Sequence, residues 1–465
     1  MVRRGLAHVA ALTLTAVWLL GSGTASAEPD RPTAPAEQVA PDAAASADSQ
    51  RCGIPDGREF HRAAPESVGI DGQRLAAALA FASGRNRLNV QVFRNNCLVG
   101  EGPTNHLTGN TPWNVWSVTK SIVSLVAGIA WDQGKLDISA PIDQYLPPGL
   151  GDAQHRSLTV ENLLTESSGL RIGVITEGIT GVIPIEPNSA VQTLGVPFDH
   201  PPGSTFVYSQ RNVDLLSYVI ELAVGEPLQQ FAQRELFDPL GIERGDYYWA
   251  RDRSGHTYGY AHLMIPPNDL AKLGMLVAED GRWGDRRVVS RDYLRRALSP
   301  SATNGCYGYL FWLGPDCAEN PAFLPADMYS MSGLGLQHVF IVPSLDLMVV
   351  WTGFFGTHTT KGLSGILQYG DEVPYEFFRQ LLAAFQDSPV SDPGQYVEGP
   401  LTFDARRYID VDIALAVLGV GPAAYPGCNL LSCLNIPLAP PFSDAPPGCL
   451  VLACVGPDPR TPGIR

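Results

Sequence analysis

Lysine is nearly missing from this 465-residue chain: it occurs only at Lys120, Lys135, Lys272 and Lys361. Arginine supplies almost all the positive charge, acidic residues outnumber basic ones 47 to 32, and the formal net charge is -15. No basic stripe runs along the chain, which argues against nucleic acid as a partner. Charged residues make up only 17% against 45% hydrophobic, a balance that excludes a disordered polymer and fits a globular chain with a core. No apolar run reaches the roughly 20 residues of a comfortable membrane span. Familiar catalytic signatures are absent as well. There is no G-x-S-x-G nucleophile elbow and no H-E-x-x-H metal motif, and the nine histidines are scattered. Neither a metal nor an organic cofactor is implied. In so lysine-poor a chain, a well-placed lysine carries weight.

What is present begins with an export pattern. Arg3 and Arg4 precede an apolar run from Leu6 to about Leu20, and small residues follow, ending in Ala25-Ser26-Ala27. This reads as a signal peptide over 1–27, and a secreted, extracellular location follows from it. Residues 28–52 are rich in Ala, Pro and Asp and read as a flexible linker. All eight cysteines lie beyond residue 27, an even number that favours disulfides in an exported chain. Nearest-neighbour pairing joins Cys306 to Cys317, Cys428 to Cys433 and Cys449 to Cys454, leaving Cys52 for Cys97. Spacing alone does not fix this connectivity.

A globular pattern spans 53–387. Apolar periodicity predicts helices over 73–83, 117–131, 213–224, 228–236 and 375–385, and strands over 88–93, 338–342 and 347–352. Strands at both ends with helices between predict an α/β fold with an inserted helical region. Residues 388–465 are Pro- and Cys-rich and contain a short duplication, Pro426-Gly427-Cys428 to Cys433 and Pro447-Gly448-Cys449 to Cys454. This segment reads as an appendage, available for contact with a cell wall or surface, and its removal after about Asp387 is expected to spare activity.

The chemistry-bearing feature is Ser117-Val118-Thr119-Lys120 at the head of the apolar run Ser121 to Ala130. Residues three apart share a helix face, so the lysine amine can reach the serine hydroxyl. Serine is a weak nucleophile at neutral pH and needs a base beside it. Lysine serves if burial lowers its pKa; moving it from about 10.4 to near 7 corresponds to about 4–5 kcal/mol. An isolated S-x-x-K is a weak signal. Here it heads a helix too apolar for a solvated surface, where a lysine calls for an explanation.

Trp116-Ser117-Val118-Thr119-Lys120-Ser121 resembles the nucleophile motif of the class C β-lactamase-like serine hydrolases, with their penicillin-binding, esterase and amidase members. Further landmarks follow in the family's order. Leu163-Leu164-Thr165-Glu166-Ser167-Ser168-Gly169-Leu170 is similar to its "LLTHTSGL", with Glu166 where His is usual. Pro202-Gly203-Ser204-Thr205-Phe206-Val207-Tyr208-Ser209 resembles its "PGTxFxYSN". The stretch 268–274 with Gly281-Arg282-Trp283 resembles a late-helix signature, and Ser332-Gly333-Leu334 its active-site strand. The resemblance covers about 60–386. It implies a β-lactamase/transpeptidase-like fold, an antiparallel sheet flanked by helices. It also implies an acyl-enzyme mechanism with Ser117 as nucleophile and Lys120 and Tyr208 as proton-transfer partners. The oxyanion would be held by backbone N–H groups of Ser117 and Leu334, beside Gly333.

Two departures bear on substrate. Gln210 stands where the second motif has Asn, and Met331 where the third motif has a Lys or His that would pair with a substrate carboxylate. With Ser332 these are the expected substrate-binding positions. Loss of the cation shifts the expectation from β-lactams, penicillin-binding or D-amino-acid peptidase activity toward a small-molecule ester or amide. Arg171 could bring a cation from elsewhere, although a solvated arginine is the plainer reading. Tyr247, Tyr248, Trp249 and Tyr258 read either as a pocket wall or as core, and His338 as pointing into the site or away. A catalytically silent surface-binding scaffold is the reading from another class.

Overall fold

In the computed structural model of the chain the described residues are 50–353 and 372–455, apart from 56, 174–175, 179–184, 389, 398–408, 442 and 450. The expected signal peptide and the expected linker before Gln50 lie outside them. The last linker residues are tied down. Cys52 is bonded to Cys97, and Arg51 forms ion pairs with Glu279 and Asp346.

Six strands make an antiparallel sheet in the order β2-β1-β9-β8-β7-β6. They are β1 (Asn89–Arg94), β2 (Cys97–Glu101), β6 (Trp312–Leu313), β7 (Tyr329–Gly333), β8 (Gln337–Val342) and β9 (Leu347–Thr352). The chain's first and late strands meet at the sheet centre, where Val90 opposes Trp351 and Val92 opposes Val349. Both faces are covered, so β1, β7, β8 and β9 are buried along their whole length, polar residues such as Gln91, Ser330 and His338 included. Helices α1 (Gly72–Ser83) and α5 (Glu372–Leu382) cover one face, packing Leu75, Phe377 and Phe378 against Val90, Phe340 and Trp351. Helices α2 (Val118–Asp132) and α4 (Pro267–Ala278) cover the other, against Met331, Val339, Ile341 and Val350. The inserted region between β2 and β6 contains α2, α3 (Arg211–Val224) and α4. It also holds a small sheet of order β3-β5-β4, from β3 (Trp113–Asn114), β4 (Tyr248–Trp249) and β5 (Leu263–Ile265).

The periodicity located these elements well. The helix read over 117–131 is Val118–Asp132, and the strand read over 347–352 is Leu347–Thr352. The helix read over 228–236 continues past Leu228–Ala232 as a wider turn, Gln233–Phe237. All four nearest-neighbour cysteine pairs are formed. Trp249, Tyr258 and Tyr247 are buried in the core, and Trp249 Nε1 donates to Tyr258 O at 2.7 Å. Of the two readings weighed for this group, these three follow the core one, while Tyr248 is half-buried. Among the described residues no helix is long and apolar enough to cross a membrane.

The described residues beyond Asp387, read from the sequence as an appendage, pack onto the rest of the chain through Ile413, Ala416 and Ala423. Helix α6 (Val411–Val417) buries Ile413 in the main core, and Tyr425 Oη accepts a hydrogen bond from Gly151 N–H at 2.9 Å. Arg171, weighed as a cation from elsewhere and read more plainly as solvated, is paired with Asp199 at 3.2 Å and Asp412 at 3.1 Å.

Candidate active site

The approach to Ser117 is set by β3. After Asn114, Val115 N–H donates to Leu263 O at 3.0 Å, and Trp116 then takes a left-handed conformation with φ 48°. Such a φ is costly for a bulky residue and persists only where its surroundings hold it. Asn114 Oδ1 supplies part of that hold by accepting Trp116 N–H at 2.9 Å. The turn delivers Ser117 to the head of α2, where backbone N–H groups have no intrahelical partner. Ser117 is half-buried while its neighbours Trp116, Val118, Thr119 and Lys120 are buried.

Lys120 lies one turn on, 1% exposed. Its three ammonium positions face three acceptors: Gln210 Oε1 at 2.5 Å, Ser117 Oγ at 3.3 Å and Tyr260 O at 3.3 Å. The amine also lies 4.5 Å from the ring centroid of Tyr208 and 5.5 Å from that of Tyr260. Burial pulls its pKa from 10.5 down to about 8, against the attraction of Glu166, Asp214 and Glu177, which favour the ammonium. Gln210 is therefore placed as the lysine's acceptor.

Two buried carboxylates fix the turn that carries Tyr208 and Gln210. Glu166 Oε2 accepts from Asn212 Nδ2 at 2.9 Å and from Ser209 N–H at 3.2 Å. Glu177 Oε2 accepts from Gln210 N–H at 2.7 Å and Ser209 Oγ at 3.1 Å. Burial pushes the Glu166 carboxyl up to about 8, with Lys120 and Asn212 opposing. Glu166 was legible as a departure from the motif. Nothing in the sequence singled out Glu177, which only the fold brings here.

The opposite wall is the end of β7. A Cβ on Gly333 would stand 2.2 Å from Val115 O and 3.2 Å from Ser117 N, so only glycine lets this strand lie against the nucleophile turn. Leu334 follows at the rim, 36% exposed. Beneath, the fully buried Arg87 guanidinium donates to Gly335 O at 2.9 Å and Leu336 O at 2.6 Å, pinning the β7–β8 turn. Met331 shares the Gly333 face and is wholly buried against α2 and its neighbours. Ser332 lies apart from the others. Its hydroxyl is 3.1 Å from His338 Nδ1, whose ring stacks on Phe340 at 4.6 Å on the α1/α5 face. His338 thus points away, and burial beside Arg87 lowers its pKa to about 3. An aromatic group missed in the sequence flanks Tyr208: Trp312 at 5.9 Å, Tyr307 at 6.2 Å, and Phe206 packed on Tyr307 at 5.0 Å.

A helix-borne serine and lysine one turn apart, closed by the end of an antiparallel sheet strand, define the site class of the β-lactamase-like fold. The family profile described as Beta-lactamase matches residues 70–357, and the chain belongs to that family. Esterase EstB of Burkholderia gladioli is 30% identical over 148 residues, 29% of this chain and 38% of the esterase. The 6-aminohexanoate-dimer hydrolase of Paenarthrobacter ureafaciens is 22% identical over 271 residues, 50% of this chain and 64% of the hydrolase. The chain thus spans less than two thirds of the length of either. A solved octameric penicillin-binding protein homologue from Pyrococcus abyssi shares the fold, with TM-score 0.51 and 19% identity over 69% of this chain and 79% of that one.

Proposed function

We propose that this chain is an exported serine hydrolase that cleaves an ester or amide through an acyl-Ser117 intermediate. The observation that carries the reading is the Ser117–Lys120 pair, 3.3 Å apart, with the lysine buried and its pKa drawn down to about 8. The neutral amine accepts the Ser117 proton as Oγ attacks the substrate carbonyl carbon. Tyr208, its ring against the amine, shares in the proton transfer. The tetrahedral oxyanion meets the N–H groups of Ser117 and Leu334; each such donor is typically worth about 3–4 kcal/mol in the transition state. Collapse expels the alcohol or amine, which takes up the proton held by the base. Water then attacks the acyl carbon and gives its proton to the same base; the acyl–Oγ bond breaks as Ser117 Oγ takes that proton, releasing the acid and restoring Ser117 and the neutral amine.

Met331 offers no positive charge to a substrate carboxylate, and Phe206, Tyr208 and Trp312 are half-buried beside the site. Both features favour an uncharged, apolar ester or amide over a β-lactam. The four disulfides support export. The test is intact-mass analysis after exposure to a fluorophosphonate, with Ser117→Ala as control, followed by turnover of neutral esters, amides and a chromogenic cephalosporin. Labelling of the wild type alone, with esters or amides turned over fastest, is expected. Equal labelling of the two proteins, or none of either while both are folded, would overturn the proposal and return the chain to the binding-scaffold reading.

A further inference from the structure

The second copy of the cysteine duplication lies along the small sheet that launches the nucleophile turn. Asn114 N–H donates to Leu452 O at 2.9 Å, Cys454 N–H donates to Pro112 O at 2.9 Å, and Trp113 bridges Ala453 in antiparallel register. Residues 452–454 thus act as a further edge beside β3. Ala453 and Cys454 are buried there, and Cys454 Sγ rests 3.5 Å from Met264 Sδ on β5.

Asn114 is the junction. A side-chain amide has one acceptor oxygen and two N–H donors. Here Oδ1 accepts from Trp116 N–H at 2.9 Å, while Nδ2 reaches Val451 O at 2.8 Å and His262 Nδ1 at 3.0 Å. The carbonyl of Val451 can only accept, which fixes the amide's orientation. His262, held neutral by burial with its pKa near 3, accepts at Nδ1 and faces Tyr260 Oη with Nε2 at 3.2 Å. Tyr260 O is in turn an acceptor for Lys120. One side chain therefore touches the C-terminal segment, the left-handed residue before the nucleophile, and the chain that holds the lysine.

We propose that Asn114 is a positioning residue and that the Cys449–Cys454 turn is its brace, so that the C-terminal segment helps to set the Ser117 and Lys120 geometry. This rests on the reading of Ser117 as nucleophile. A displacement of about 1 Å at such a site can lower a rate ~100-fold.

The test uses four full-length oxidised variants: Asn114→Ala, Asn114→Asp, Cys449→Ser with Cys454→Ser, and Cys428→Ser with Cys433→Ser as a control in the first copy. Two readouts are taken, amide hydrogen exchange in peptides covering 113–120 and the rate of fluorophosphonate acylation as a function of probe concentration. Asn114→Ala and the second-copy pair are expected to speed exchange and to cut the maximal acylation rate about 10- to 100-fold, with little change in the concentration for half-maximal rate. Asn114→Asp keeps the acceptor for Trp116 N–H and loses both donors, so it should fall between them and the wild type. The first-copy control should match the wild type in both readouts. Wild-type exchange in Asn114→Ala and the second-copy pair, or equal effects from both cysteine copies, would overturn the brace. Were the wild type itself not acylated, the nucleophile reading would fail, while exchange would still decide whether the segment braces the turn.

Discussion

Replacing Glu166 by glutamine exchanges a buried acid for a neutral group of the same shape, and its effect on stability has a sign that can be worked out. The carboxyl has an ordinary value of 4.5 and is pushed up to about 8 in the fold. At roughly 1.4 kcal/mol per pH unit, that displacement corresponds to about 5 kcal/mol. The unfolded chain releases this proton near 4.5, whereas the folded chain retains it until about 8. Stability from this group is therefore present below pH 4.5 and is lost progressively up to pH 8. Glutamine has no such slope. Other buried acids, Glu186 and Asp252 among them, contribute equally to both proteins and cancel in the difference. Lys120 acts in a separate window, between about 8 and 10.5, where its lowered pKa makes stability rise with pH.

Urea unfolding followed by tryptophan fluorescence, disulfides intact, would compare the proteins across this range. Near pH 5 the variant should be the less stable, because the protonated carboxyl already carries one donor at the unpartnered Glu166 Oε1 and the amide adds a second, at a cost of about 1–3 kcal/mol. By pH 8 the difference should have moved about 4 kcal/mol in the variant's favour. Parallel curves, or divergence with the opposite sign, would refute the reasoning. The same substitution removes the strongest influence raising the Lys120 pKa, so the rising limb of activity should move to lower pH.

Three further outcomes are expected. In the wild type, kcat/KM should rise with pH through an apparent pKa of about 8, and Lys120→Arg, which cannot lose its proton near that pH, should reduce turnover about 100- to 10,000-fold. A pH–rate profile that is flat from 6 to about 9 would remove Lys120 as the base. Gly333→Ala drives a Cβ to within 2.2 Å of Val115 O, a backbone atom that cannot rotate aside. It should cost about 3 kcal/mol in thermal or urea unfolding and lower kcat more than it alters KM. Truncation after Asp387 removes the packing of Ile413, the Tyr425 hydroxyl bonded to Gly151 N–H and the Trp113–Ala453 pairing. The truncated chain should therefore unfold at lower temperature than the full chain, and an unchanged midpoint would show that this packing adds no stability.

The sequence by itself determined what depends on local order. Ser117 and Lys120 meet because a helix brings residues three apart onto one face, and the apolar residues that follow require that helix to be buried. The central strands were legible as short apolar runs because both faces of the sheet are covered. Short cysteine spacings likewise anticipated the formed disulfides. Only the tertiary structure decided how far the lysine is desolvated, since that depends on Gln210, Tyr208 and Tyr260 closing around it from distant positions. It turned Ser332 toward His338 and left Gly333 facing the nucleophile, because adjacent strand residues point to opposite faces. It also brought Glu177 under the second motif and 452–454 beside β3, pairings between segments whose separation along the chain leaves no local pattern to read.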